Sequence, residues 1–382
     1  MAVPLWGDPA DWTNPPPLRG DVRADVCVVG LGGSGLAAVG ALLDAGATVA
    51  GVDAGPVGGG AAGRNGGFLL AGTARFHHDA VATWGRERAA GLYRETLAEI
   101  DRLAGELGPE VVRLVGSLRL PGDDEEAEDC ARQLAALRAD GFVAWSADGG
   151  VLVGGDGAVD PLARCRLLAG RALARGARLF AGSPAVAIRG DRVETPSGAV
   201  DCGAVVVAVD GGLERLLGEL EGRVRSTRLQ MLGTAPAAPR FPRPVYFRWG
   251  YDYWQQLPDG RVVLGGGRDR HVEAEWGAGA EPSEEVQDGL EALLRGPLGV
   301  EAPVTHRWAG VVGYTDDFLP VFEAVRPGVL AVGGQNGHGN VIGSAAARAA
   351  AQIALGEPAP PLARLLRPEV WDDVSTSTGG RL

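Results

Sequence analysis

The sequence predicts an α/β protein in which a parallel-sheet domain is interleaved with an α+β domain built on an antiparallel sheet. Three observations carry this. Residues 25–53 run as apolar strand, glycine-rich turn, Ala/Leu helix and second apolar strand, a complete βαβ unit. Ala204–Val209 and Val329–Gly334 are continuous apolar runs of the kind buried on both faces of a parallel sheet. Residues 221–276, by contrast, are rich in Tyr, Trp and Arg and alternate in character, as antiparallel strands with two unlike faces do.

The βαβ unit is the most specific of these. Val26–Val29 leads directly into Gly30-Leu31-Gly32-Gly33-Ser34-Gly35. Gly30 permits the tight turn, Gly32 lets the backbone approach a pyrophosphate, and Gly35 lets helix and strand pack closely. The helix N-terminus offers N–H groups and positive dipole to phosphates. The second strand, Thr48–Val52, ends in Asp53, which is placed to accept hydrogen bonds from a ribose diol. A Rossmann-like dinucleotide site follows. An NAD domain would normally continue into a helix here. This chain instead has a second backbone-exposing loop, Gly58–Gly67, of the kind a flavoprotein threads past the pyrophosphate and isoalloxazine ring. Near the far end, Val329–Gly334 leads into Gln335-Asn336-Gly337-His338-Gly339-Asn340 and an Ala-rich helix, Gly343–Leu355, whose N-terminus suits the flavin N1/C2=O edge. These features predict FAD.

The remaining elements follow in order. Residues 1–20, with Pro15-Pro16-Pro17, read as an extended lead-in. Trp84–Leu107 has helical spacing and stops at Gly108-Pro109. Val111–Leu120 alternates as one strand, and Asp123–Asp129 opens an acidic helix with a solvated face. Asp160-Pro161 is an N-cap with Pro at the first helical position, opening Leu162–Arg175, and Ala177–Phe180 returns as a strand. Asp191–Val200 is a hairpin around Pro196-Ser197-Gly198, Ser283–Leu294 is a helix, and the tail from Asp372 frays. The FAD-binding domain is thereby predicted to comprise 21–84, 155–215 and 310–360, and the substrate domain 85–154 and 221–309. Residues 1–20 and 361–382 are terminal extensions.

These motifs resemble the D-amino-acid oxidase superfamily of FAD-dependent oxidoreductases, nearest the branch of gamma-glutamylputrescine oxidase, glycine oxidase and sarcosine oxidase. The resemblance rests on VCVVGLGGSGLAAVGALLDAGATVAGVDA, GAAGRNGG, DGAVDPLARCRLLAGRALARGARL, GAVVVAVDGG, LPDGRVVLGGG, RWAGVVGYTDDFLPVFE and GGQNGHGNVIGSAAARAAAQIALG, in family order over residues 20–356. It implies oxidation of an amine or amino acid by hydride transfer to the flavin, with oxygen or another electron acceptor taking the electrons. Flavin-fold binding or sensing is the alternative of another class. The cofactor set it implies is Gly30, Gly32, Gly33, Ser34, Gly35, Asp53, Ala54, Gly63, Arg64, Asn65, Gly66, Gly67, Val186, Gly334, Gly337, His338, Gly339, Asn340 and Val341. Arg64 stands where some relatives carry a flavin-linked His, so non-covalent FAD is expected. Val341 stands where sarcosine oxidases place a Lys that promotes oxygen reaction, which keeps a dehydrogenase open. His338, Arg248, Tyr251 and Tyr253 are the candidate catalytic residues. Arg grips a carboxylate bidentately and Tyr holds an ammonium or its carbon chain. By strand alternation Tyr251 and Tyr253 share one face, and Arg248, Asp252 and Trp254 the other.

Composition excludes several alternatives. A net charge of −12 disfavours nucleic acid and acidic membranes. All 36 Lys+Arg residues are Arg, so this chain lacks the ammonium that Schiff-base, PLP and P-loop chemistry require. Cys27, Cys130, Cys165 and Cys202 are scattered and read as structural free thiols rather than disulfides or a metal site. No run is apolar enough to insert in a membrane, and no basic-apolar leader opens the chain, so a cytoplasmic protein is expected.

Overall fold

The computed structural model describes residues 3–6, 12–277 and 279–371. Its described residues divide into two compact units, one of 12–63, 161–226 and 312–371, the other of 3–6, 64–160, 227–277 and 279–311. The first break falls at Gly63/Arg64, so residues 64–84 pack with the inserts rather than with the glycine-rich unit.

The glycine-rich unit is built on a six-stranded sheet. Its spatial order is Arg178–Phe180, Val49–Val52, Val26–Val29, Ala204–Val207, Val329–Gly333 and Val321–Arg326. All neighbours are parallel except the last, which closes the edge antiparallel. Every residue of Val26–Val29, Val49–Val52, Ala204–Val207 and Val329–Gly333 is buried, which is why these runs read as unbroken apolar stretches. The helix Gly33–Asp44 packs against Pro161–Ala174 and Ser344–Ala354. Alanines on the buried face of Ser344–Ala354 allow that close approach. A separate four-stranded sheet holds the Arg192–Thr195/Gly198–Asp201 hairpin.

The other unit carries an eight-stranded sheet ordered Val304–Tyr314, Arg225–Pro236, Arg261–Gly266, Asp252–Gln256, Val245–Phe247, Ser117–Leu120, Gly150–Val153 and Ala144–Ala147. Leu118, Val245, Trp254, Leu264 and Leu232 share one face and form a core with Val286, Leu290 and Leu294 of the helix Glu284–Arg295. The opposite face carries Arg119, Tyr246, Tyr253, Gly265 and Met231, which are register partners strand by strand.

Three expectations are corrected. The helix predicted over Trp84–Leu107 is observed as Arg86–Leu107, and Trp84 instead ends a separate helix, His77–Trp84, because Gly85 at φ +82° breaks the path. The single strand Val111–Leu120 is two, Val112–Arg113 and Ser117–Leu120, interrupted at Gly116 with φ +72°. The acidic helix Asp124–Ala139 is capped by the Asp123 side chain and its Asp123, Asp124, Glu125 and Glu128 are solvated as expected, but Glu126 and Asp129 are buried. The frayed tail expected from Asp372 lies outside the described residues. None of the four cysteines is in a disulfide, and burial pushes the Cys130 and Cys202 thiols up to about 11.

Candidate active site

In the glycine-rich unit the Gly30–Gly35 turn forms a tight cradle. Gly30 sits at φ +101°, and a Cβ there would lie 2.6 Å from the Ala208 carbonyl oxygen. A Cβ on Gly35 would fall 1.8 Å from Gly30 O, so only glycine lets the helix rise this close to the strand. Gly32 caps Gly33–Asp44 without a side-chain hydrogen bond, and the first turn holds no acidic residue. The helix end is thus left for an anionic ligand. Asp53 braces the turn, accepting from Leu31 N at 2.7 Å and Gly55 N at 2.8 Å. Burial raises its carboxyl against those two hydrogen bonds. Ala54 is exposed beside it, and Gly63 ends the short turn Ala61–Gly63.

The loop after Val329–Gly333 belongs to the same unit. Gln335 donates through Nε2 to Ser34 Oγ at 2.9 Å. Gly339 and Gly343 make room for that side chain, since a Cβ on either would clash with it at 1.9 and 2.4 Å. Asp210 pins the loop, accepting from Gln335 N at 2.8 Å and Gly313 N at 3.0 Å, with burial pushing it up to about 6. Gly334 and Gly337 have φ of +61° and +79°. His338 is half-buried, with Nδ1 3.3 Å from Asn336 O. Val341 is buried in the π turn Gly339–Gly343, not displayed on its surface. Val186 is exposed, its N–H given to Glu194 O at 2.8 Å in the small sheet.

One residue here escaped the sequence reading. Arg164 is 1% exposed, yet its guanidinium donates to Asn340 Oδ1 at 3.2 Å and to Ser344 Oγ. A Cβ on Gly33 would stand 3.0 Å from Arg164 Nη2. A permanent cation therefore underlies the N-termini of both Gly33–Asp44 and Ser344–Ala354. Its signal was faint, since an Arg in a helix of ordinary amphipathic pattern reads as surface.

In the other unit, Arg64–Gly67 lies along the sheet face opposite the helix-covered core. Arg64 is buried, donating from Nε to Ala309 O at 2.6 Å, while Trp308 Nε1 donates to Arg64 O at 2.7 Å. Burial lowers its pKa. Asn65 Oδ1 accepts from Gly67 N at 2.8 Å, and Gln255 Nε2 donates to Gly66 O at 2.6 Å. A Cβ on Gly66 would stand 3.1 Å from the Tyr253 ring, and one on Gly265 would enter that ring at 2.6 Å. Tyr253 stacks on Tyr246 at 5.8 Å, and Phe68 meets both rings at 5.8 and 5.1 Å.

This geometry separates the four candidate catalytic residues. Tyr253 lies on the face beside Gly66. Tyr251 does not share that strand face: it precedes Asp252–Gln256 in a turn and is 42% exposed. Arg248 is already committed. Its Nε donates to Asp252 Oδ2 at 2.7 Å and its two Nη atoms to Asp269 at 2.8 and 3.0 Å, so its fork is filled by protein carboxylates. Trp254 points into the core on the other face.

Comparison with known proteins agrees with this architecture. A family model described as FAD dependent oxidoreductase matches residues 25–353. A probable oxidoreductase OrdL of Rhizobium meliloti (strain 1021) is 26% identical over 376 residues, covering 90% of this chain and 85% of its own. Among solved structures, glycine oxidase from Geobacillus kaustophilus aligns with TM-score 0.72 and 20% identity over 88% of this chain and 95% of its own. L-proline dehydrogenase from P. horikoshii aligns with TM-score 0.73 and 17% identity over 92% and 99%. With more than half its length matched by one family model, from the first strand of the glycine turn to the helix beyond His338, the chain belongs to the FAD-dependent oxidoreductase family.

Proposed function

We propose that the protein oxidises an amine or amino acid, the substrate α-carbon losing a hydride and the nitrogen a proton, and the resulting imine being hydrolysed by water. The observation that carries the cofactor half is the uncapped turn Gly30–Gly35 braced by Asp53, a cradle of backbone N–H groups that a side chain would fill. FAD fits these residues: Gly32, Gly33 and Ser34 would meet its pyrophosphate, Asp53 its ribose, and the Gly337–Val341 loop its ring, without a covalent link. Bound FAD supplies the two-electron acceptor. The substrate half is supported by relatives of the same fold named glycine oxidase, L-proline dehydrogenase and L-amino acid deaminase.

The chain's own residues then orient and desolvate rather than attack. Tyr246, Tyr253 and Phe68 offer an aromatic wall to an amine and its carbon chain. With Nδ1 donating to Asn336 O, His338 is held in the tautomer whose Nε2 is the acceptor. Such oxidation needs no catalytic triad. Anaerobic mixing with a panel of amines and amino acids, read as loss of flavin absorbance, tests the reaction. Bleaching by at least one member is expected, and none across the panel would leave a flavin-fold sensor as the better reading.

Oxygen is the proposed acceptor, and a dehydrogenase is a second reading favoured by Val341. No lysine exists in the chain to stabilise developing superoxide, so reduced enzyme is expected to reoxidise more slowly with air than with a dye acceptor. Stopped-flow mixing with each decides it, and oxygen at least as fast as dye would refute the expectation.

A further inference from the structure

We infer that Arg119 is the anchor for an anionic group of the substrate, and hence that the oxidised amine carries a carboxylate. The inference rests on the amine-oxidation reading above and deepens it.

Arg119 lies on Ser117–Leu120, where Leu118 and Leu120 turn to the helix-covered core and Arg119 turns to the opposite face. Its register partner across the parallel pairing is Tyr246, whose own partner is Tyr253, whose partner in turn is Gly265. One row across three strands therefore reads cation, ring, ring, and the glycine Gly66 stands against the last ring. The guanidinium carbon is 5.6 Å from the Tyr246 ring centre and 5.1 Å from that of Phe76. Two aromatic faces thus fix its plane while leaving its edge N–H groups for a ligand.

Arg119 makes no hydrogen bond or ion pair among the described residues, and its buried Nε has no acceptor. The charge that reaches it, Asp156, has its oxygens engaged by Ala71 N at 2.9 Å and Ser117 Oγ at 2.5 Å. Arg113, a near neighbour in sequence, donates instead to Gln255 Oε1 at 2.9 Å. A half-buried guanidinium held by rings and given no acceptor is a site awaiting a planar anion. A carboxylate matches the fork bidentately, with the rest of the substrate laid along Tyr246 and Tyr253.

Calorimetric titration of the FAD-loaded enzyme with benzoate and with neutral benzamide, of the same shape, tests this. Wild type is expected to bind benzoate, Arg119→Met to bind it at least tenfold more weakly, and benzamide affinity to be unchanged. Arg119→Lys, which keeps the charge but not the fork, is expected to fall between them. If Arg119→Met does not fold, the Lys variant carries the test, and benzoate bound as tightly as by wild type overturns the inference. So does equal benzoate affinity in the Met variant, or no benzoate binding by wild type. Flavin bleaching of the wild type by amines that lack a carboxylate, as fast as by amino acids, would overturn the inferred substrate class but leave amine oxidation standing. Bleaching by no amine would remove the reading beneath it.

Discussion

Two glycines of one turn make different demands, and their variants should fail differently. At Gly35 an added Cβ would meet Gly30 O at 1.8 Å, inside the fold itself. At Gly32 it would meet only the Ala62 Cβ, at 3.0 Å, with φ at −84°. Gly35→Ala is expected to destabilise the apoprotein by more than the about 1–3 kcal/mol typical of overpacking, read as a lowered urea midpoint. Gly32→Val is expected to fold and purify colourless, because its side chain occupies the space of the pyrophosphate. A yellow, fully flavinated Gly32→Val would refute the cradle. Arg164 belongs to the same scale. Its buried charge beneath two helix N-termini favours an anion there, so Arg164→Met should release FAD more readily on dilution than wild type, and Arg164→Lys less so.

The corner between Val245–Phe247 and Asp252–Gln256 shows what an element can require of distant acids. Arg248 and Trp249 both adopt left-handed backbone, at φ +53° and +52°. Such strain persists only where surroundings over-determine it. Here Glu126 accepts from Trp249 N and from Gly122 N, Asp129 accepts from Trp249 Nε1 at 2.9 Å, and Asp252 and Asp269 hold Arg248. The acidic start of Asp124–Ala139 is therefore a clamp. Glu126→Ala is expected to cost about 1–3 kcal/mol in urea unfolding, since it leaves the part-buried N–H groups of Gly122 and Trp249 without their acceptor. Arg248→Met should also lower stability, yet leave benzoate affinity unchanged. A tenfold loss of benzoate binding in that variant would return Arg248 to the substrate.

At the scale of the whole molecule, each unit buries a carboxyl that is pushed up to about 6 chiefly by burial, Asp156 in one and Asp210 in the other. The unfolded value is 3.8, so between about pH 4 and 6 the native state binds more protons than the unfolded chain. Stability from these groups is therefore greatest on the acid side and falls as pH rises through about 6, by up to about 3 kcal/mol per carboxyl. Asp156→Asn keeps an acceptor for Ala71 N, reverses the hydrogen bond that Ser117 Oγ now donates, and should flatten this slope. Unfolding curves of wild type and variant that stay parallel from pH 4 to 8 would contradict it.

The sequence by itself determined the cofactor half of this protein. Strand, GxGxxG, helix and acid lie within 30 residues of one another, and their geometry follows from local backbone rules that leave a legible pattern. The alternation within Tyr251–Trp254 likewise separates Tyr253 from Trp254. It did not say which face a helix would cover, because that depends on Val286, Leu290 and Leu294, which arrive later in the chain. Nor did it find Arg119, although the apolar alternation of Leu118 and Leu120 already turned that side chain away from them. Arg248 and Arg119 look equivalent as letters. Only the tertiary structure brings Asp252 and Asp269 to the first and two aromatic rings, without an acceptor, to the second. Charge neutralisation is decided by neighbours in space, and a linear pattern with period two or 3.6 carries no information about them.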